Sequence, residues 1–350
     1  MEEQKQKFGI FRLLALCVLV GVLMVVPPLF STVAKNNKIT GQELWGEKSE
    51  YQGVLEIWNV DTFSGASMSK TDYLSVVARN FESENKGVYV CVKNLKVEEF
   101  KIAFGEGKRP SIVSFGFGLG SMLKNELAEL TIFASPRHSI LESGMDNGIL
   151  KAVGYIMGAY SLFSTSDRLV GLEYKKLSDI VLMAGKTMRT GKNTKHIYSL
   201  NYGKSEFLYP EKSIALNLVD SEEVYQSVSD YDAYVDYCTF NRSNILLGNM
   251  RDLVRLENKV NKGDMSDIIL EPLVEYNDQI QYLGIINSSS ESLNKCASYF
   301  VNYIMSESSQ LKIANSGLFS TTRTDLYQEG NFRKIEEAID KVKNIPNVFL

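Results

Sequence analysis

The 350-residue chain contains only two histidines, His138 and His196. Neither has a ligand-spaced neighbour, so a histidine-rich metal site is excluded and a Ser-His-Asp relay has two poor candidates. Cysteine is sparse too. Cys17 sits inside an apolar N-terminal run, and only Cys91, Cys238 and Cys296 follow it. Three is an odd set and makes no disulfide framework. Cys91 falls in the strand pattern VYVCV and Cys296 on the apolar face of a helix, so both read as buried thiols. Basic excess is also lacking. With a formal net charge of −4 and a pI near 5.5, the chain has no electrostatic footprint for nucleic acid.

The common enzyme signatures are missing. Gly116-Phe117-Gly118-Leu119-Gly120 follows a strand pattern, but its third glycine comes one residue too early for a dinucleotide loop. Gly185-Lys186-Thr187 and Gly203-Lys204-Ser205 imitate the end of a phosphate loop. The glycine needed five residues earlier is Ile180 in one case and Tyr198 in the other. Asp230, Asp232 and Asp236 lack the glycine and terminal glutamate of a calcium loop and read as a solvated acidic surface. These absences shift the reading from catalysis toward binding. No catalytic residue, metal or cofactor is assigned.

Long apolar runs are absent after Ala34, where every such run is short or amphipathic. Before it, Lys5, Lys7 and Arg12 precede the unbroken run Leu13 to Val26, then Pro27-Pro28 and the small-residue stretch Thr32-Val33-Ala34. This is the layout of an export signal, and its length also suits an uncleaved anchor. Leu16 before Cys17 argues against lipidation. Residues 1–34 are therefore assigned as signal or anchor and 35–52 as a polar tether, with the rest outside the cytoplasmic membrane, secreted or held at its outer face.

What remains is ordinary globular composition, 44% hydrophobic and 23% charged, enough for two domains. Strand and helix patterns alternate. A strand over 54–60 leads to a helix capped by Ser69 with Asp72 at the capping-box spacing. A strand over 88–94, a helix near 97–104 and a strand over 111–115 follow. Residues 155–165 are extended, and 175–260 read as a run of mixed helices. Strands are expected over 268–272 and 280–286, and amphipathic helices near 292–305 and 332–342. Alternation at this pitch argues for parallel sheets with helices on their faces.

Four stretches carry a resemblance: LEIWNVDTFSG with NFESENKGVYVCV, then FGEGKRPSIVSFGFG, GYIMGAYSLFST and FNRSNILLGNMRDLVRL. EPLVEY, QYLGIINSSS and NSGLFSTT follow in order. Together they resemble the extracellular solute-binding proteins of ABC importers, the carbohydrate type that includes maltose-binding protein. The likeness spans residues 50 to 325. Ser111 stands where the family has an aspartate, Arg242-Ser243-Asn244 replaces its small glycine turn, and the tail after 325 is shorter.

The resemblance implies an α/β, two-lobed periplasmic-binding-protein-like fold, each lobe a mainly parallel sheet flanked by helices, with a ligand cleft between. Lobe one would take 53–156 and 282–320, and lobe two 157–281 and 321–350. The implied function is a monomeric, non-enzymatic receptor. It would close on a small polar solute, a carbohydrate, and deliver it to the permease subunits of an ABC importer. The alternative is a degenerate member acting as a membrane-anchored sensor or interaction module.

On this reading Asp61, Thr62 and Phe63 line one wall of the cleft. The carboxylate accepts from hydroxyls and the ring packs on a sugar face. Phe115 and Phe117 stand at the end of the third strand, and Tyr202, Asn249 and Arg251 close from the other lobe. Other readings stand beside these. Trp58 and Phe115 suit the core, Tyr202 suits plain surface, and Arg251 with Asp252 suits a structural ion pair.

Overall fold

The computed structural model describes residues 50–170, 175–181, 200–214, 224–239 and 243–350. The export or anchor segment, most of the tether, Cys17, Gly185-Lys186-Thr187, His196 and Arg242 lie outside the described residues.

Two sheets organise the chain. β1 (Gly53–Val60), β2 (Val88–Leu95), β3 (Ile112–Gly116), β6 (Val153–Met157), β12 (Ile280–Ile285) and β13 (Phe319–Ser320) form the first, in the order β13-β6-β12-β3-β1-β2. β7 (Ser161–Thr165), β8 (Leu200–Gly203), β9 (Val224–Ser227), β10 (Ile245–Gly248) and β11 (Ile268–Pro272) form the second, in the order β11-β7-β10-β8-β9. β4 (Met145–Asp146) and β5 (Ile149–Leu150) make a small hairpin.

Local chemistry explains the first crossover. Leu55, Ile57 and Val60 of β1 are fully buried. Ser69 then caps the helix Lys70–Glu84, its Oγ accepting from the Asp72 amide at 3.0 Å. Tyr73, Leu74, Val77 and Phe81 recur on one face of that helix and are buried. Phe81 meets Phe300 of the Glu291–Met305 helix edge-on at 5.1 Å, so two helices share one face of the sheet. The chain then returns to pair β2 parallel to β1, as a strand–helix–strand unit requires.

Both sheets are mixed rather than mainly parallel. β2, β1 and β3 are parallel in the first sheet, and β9, β8 and β10 in the second. The strands on either side of the chain crossings, β6, β7, β11 and β12, pair antiparallel. The expected helical run over 175–260 holds the helices Asp230–Thr239 and Met250–Asn261 but also supplies β8, β9 and β10. Each has four residues, too few for a period of two to stand out in sequence. Cys91 also departs from expectation. β2 is an edge strand, and Cys91 faces solvent, whereas Cys296 is buried. Trp58 is in the core, edge-on to Phe100 at 6.2 Å, its Nε1 donating to Glu56.

The chain passes between the sheets at 157–161 and again at 272–280, and these passages are hydrogen-bonded to each other. Gly158 N donates to Gln279 O at 2.7 Å, Asn277 Nδ2 to Gly158 O at 2.9 Å and Leu273 N to Tyr160 O at 3.0 Å. The Tyr160 hydroxyl donates to the buried Asp278 carboxylate at 2.6 Å. A Cβ at Gly158 would lie 2.4 Å from Gln279 Oε1 and 3.2 Å from its Cβ, so any larger residue here would have to displace the Gln279 side chain. The C-terminal helix Gly330–Ile339 lies against β11, its Asn331 donating to Glu257 at 3.0 Å, and the last residues return to the first sheet's side. Val348 and Phe349 are buried, and Val348 N donates to Ser143 O at 2.9 Å.

Candidate functional site

A cleft of about 390 Å³ opens where the parallel strands of both sheets end. Its first wall carries Asp61, Thr62 and Ser64, which follow β1, and Val97, which follows β2. The second wall carries Lys204 to Phe207 after β8, Ser229 to Tyr231 after β9, and Asn249, Arg251, Asp252 and Arg255 after β10. The volume suits a small ligand, and strand carboxyl ends are where loop amides and helix N-termini converge.

The first wall rests on a buried polar network. Asn59, fully buried at the end of β1, donates through Nδ2 to Asp61 at 3.0 Å and to Thr71 at 3.0 Å. Its carbonyl oxygen accepts from Ser114 Oγ at 2.7 Å, and Gln281 Nε2 donates to Val60 O at 3.1 Å. Lys70, also fully buried, turns back beneath the loop. Its ammonium lies 3.2 Å from Asp61 Oδ1 and 3.8 Å from the centre of the Phe63 ring, and donates to Phe63 O. Burial lowers the Lys70 pKa, and the charge of Asp61 opposes that shift. The Asp61 charge is thus matched from within the fold. The Thr62 hydroxyl packs over Gly116, where a Cβ would come within 1.8 Å of it.

Asp61, Thr62, Asn249 and Arg251 of the sequence-derived candidates therefore line the cleft, and the other four lie elsewhere. Phe63 is only 7% exposed, pinned over Lys70 rather than offered to ligand. Phe115 is fully buried, its ring 6.1 Å from that of Tyr282, because its side of β3 faces the core. Phe117 is half-buried and packs edge-on against Tyr209 at 6.4 Å. Tyr202 lies inside β8 and is buried in the core of the second sheet.

On the second wall Asn249 caps the helix Met250–Asn261. Its Oδ1 accepts from Arg251 N at 2.9 Å and Asp252 N at 3.3 Å, while Asn249 N donates to Asp252 Oδ2 at 3.1 Å. This reciprocal box fixes Asn249 Nδ2, which donates to Asp230 Oδ2 at 3.2 Å. Asp252 is buried and pairs with Arg255 at 3.3 Å, so the Arg251–Asp252 pair is replaced by one between residues a turn apart on the same helix face. Arg255 lies 5.0 Å from the Tyr231 ring and 5.2 Å from that of Tyr234. Burial, reinforced by the charge of Asp230, pushes the Asp252 carboxyl up to about 7. Desolvation by the cleft walls raises the Asp230 carboxyl as well, though its exposure to solvent screens that shift. Arg251 reaches across the cleft, its Nη1 donating to Ser64 Oγ at 3.2 Å.

Sequence reasoning missed Ser64, Lys204 to Phe207, Ser229 to Tyr231 and Arg255. The signal was present in two rejected motifs. Gly203-Lys204-Ser205 is no phosphate loop and Asp230 belongs to no calcium loop, yet both mark loops that follow parallel strands. His138 is exposed and lies 3.1 Å from Glu142 on its own helical turn. Among the described residues no group of histidine, cysteine or acidic side chains is placed to hold a metal ion. No helix among them is long and apolar enough to cross a membrane.

This two-sheet, twice-crossed α/β architecture is the fold of the solute-binding proteins of ABC importers, as solved structures show. The GacH receptor of Streptomyces glaucescens, solved unliganded and with acarbose, superposes with a TM-score of 0.60 at 17% identity, over 86% of this chain and 89% of that one. Maltose-bound MalE3 of T. maritima gives 0.56 at 16% identity, over 85% and 90%. Lmo0181 of Listeria monocytogenes, in complex with cycloalternan, gives 0.55 at 12% identity, over 85% and 89%. No protein-family model matches the chain, and no curated protein matches its sequence.

Proposed function

We propose that the protein is an extracytoplasmic solute receptor. It captures a small polar solute, a carbohydrate, by closing two lobes, and passes it to the permease of an ABC importer. The lobes would be the units built on the two sheets, hinged at 157–161 and 272–280. The observation that carries this reading is the cleft itself, lined by loops from both sheets beside paired chain crossings. A ligand touching both walls favours the closed state, because it gains contacts that the open state lacks. Carboxylates, hydroxyls and the Asn249 amide offer the donors and acceptors that sugar hydroxyls need.

One motive for the sensor alternative weakens. Ser111, which replaces the family aspartate, precedes β3 and so lies at the end of the sheet away from the cleft. Its amide donates to Glu56 O at 2.9 Å and its carbonyl accepts from Ile286 at 3.0 Å, so it acts through the backbone. A thermal-shift screen of mono- and oligosaccharides tests the receptor reading, since a bound ligand raises apparent stability by mass action. Small-angle scattering with the hit should show compaction. A panel without a hit, or a hit without compaction, overturns the receptor or the hinge respectively.

A further inference from the structure

The charges lining the cleft are unevenly committed. Four acids line it, and three have cationic partners: Asp61 with Lys70 at 3.2 Å, Glu206 with Lys101 at 3.6 Å and Asp252 with Arg255 at 3.3 Å. Asp230 accepts from Asn249. The cations Lys204 and Arg251 are different. Neither has a carboxylate within ion-pair distance among the described residues, both are exposed, and Arg251 makes its one side-chain hydrogen bond to a neutral hydroxyl, Ser64 Oγ. Once the pairs are set aside, two positive groups and one carboxylate remain.

The position of Arg251 sharpens the point. It lies in the first turn of the Met250–Asn261 helix, where the helix dipole disfavours a cation. The same turn is capped by Asn249 and balanced by Asp252, so the helix has no need of the guanidinium. Lys204 sits at the end of β8 with its amide bonded to Ser227 O at 2.9 Å, which fixes its backbone at the rim. Two cations without a carboxylate partner among the described residues, on one wall of a cleft, make a receptor for an anionic oxygen group. Hydroxyls of Ser64, Ser205 and Ser229 stand beside them.

We infer that the cleft takes an acidic saccharide, a sugar whose carboxylate or sulfate is received by Arg251 and Lys204. The inference rests on the receptor reading and adds the charge of the ligand. Calorimetry on the full chain with three probes tests it: a di-uronic acid, an O-sulfated disaccharide and the neutral disaccharide of the same linkage. At least one acidic probe should bind about tenfold or more tighter than the neutral one, the scale of a charge-assisted contact. Whichever acidic probe wins identifies the anion. Arg251→Gln and Lys204→Gln should each shrink the preference, as should raising salt from about 50 mM to about 500 mM. Lys334→Gln, which removes an exposed charge from the C-terminal helix, should leave the preference intact. Equal or tighter binding of the neutral sugar overturns the inference and leaves the receptor standing. A preference that survives the Arg251→Gln/Lys204→Gln double variant overturns the assignment of those two residues. Failure of every saccharide to bind overturns the receptor reading, and this inference with it.

Discussion

The two walls of the cleft are built on opposite plans. The first is rigid from beneath. Asn59, Ser114, Gln281 and Lys70 are fully buried, and they hold Asp61 and the turn after β1 from inside the fold. The second wall is held by a helix cap, and its outermost groups, Lys204, Asp230 and Arg251, are exposed. Gln281 Oε1 is the one atom of these four side chains left buried without a partner among the described residues, and the remaining hydrogen bonds fix geometry because each member is costly to leave unpaired. Exposed charges on a cap can swing or titrate at little cost. The first wall therefore presents a fixed surface, and the second supplies the groups that reach toward it.

The first wall depends most on its backing by the core. Phe115→Ala should destabilise the protein by about 3–5 kcal/mol, the scale for deleting a fully buried aromatic ring. Urea denaturation measures it. Unchanged stability with lost ligand affinity would return Phe115 to the cleft. Lys70→Met should cost somewhat less, about 3 kcal/mol, by stripping Asp61 of its buried partner. Asp61 is partly exposed, so water repays some of its lost interaction and limits the effect.

These two residues also show how far the sequence could be read. The strand–loop–helix order was visible in GVLEIWNVDTFSG and the Ser69 cap, because both rest on local spacing. So was the presence of Asp61, Thr62, Asn249 and Arg251 at strand ends. What stayed hidden was depth. An aromatic residue just after a strand can face ligand or core. In Phe63 the choice is made by Lys70, seven positions on, whose burial beneath the ring no periodicity announces. The same holds for the partner of Asp252. Its neighbour in sequence is Arg251, but helix geometry brings Arg255 to it, one turn along the same face. In the second sheet β7 and β11 were legible, but β8, β9 and β10 were missed because four-residue elements carry too little pattern.

A moderate effect separates the walls by pH. In the unfolded chain aspartate titrates near 4. In the fold burial raises Asp252 to about 7, while Asp230 shifts the same way but is exposed, so water screens most of its share. Below about 4 both groups are protonated in either state. As pH rises, the unfolded chain ionises first, so the stability these groups contribute is lost between about 4 and about 7. Glu56 shifts the opposite way, since hydrogen bonds from Lys93 and Trp58 outweigh its desolvation, and it acts only at lower pH. The melting temperature should therefore be higher at pH 5 than at pH 7.5, and Asp252→Asn should flatten that slope. A slope unchanged in the variant would show that the carboxylate is solvated and the second wall open to water.

The smallest effect tests the contact between the walls. The Arg251–Ser64 hydrogen bond spans the cleft at 3.2 Å and is exposed to solvent, so it contributes only about 0.5 kcal/mol to folding. Arg251→Ala should leave urea stability nearly unchanged. Its consequence lies in the balance between open and closed forms, where a difference of that size changes the population ratio about twofold. Each chain without ligand should therefore average more open in the variant than in the parent. Scattering curves of the two proteins, compared at the same concentration, would record a slightly larger radius of gyration for the variant. Ser64→Ala removes the acceptor and should reproduce the shift while keeping the guanidinium. If Arg251→Ala expands the protein and Ser64→Ala does not, the cross-cleft bond is not the cause, and the guanidinium acts through its charge on the acidic residues around it.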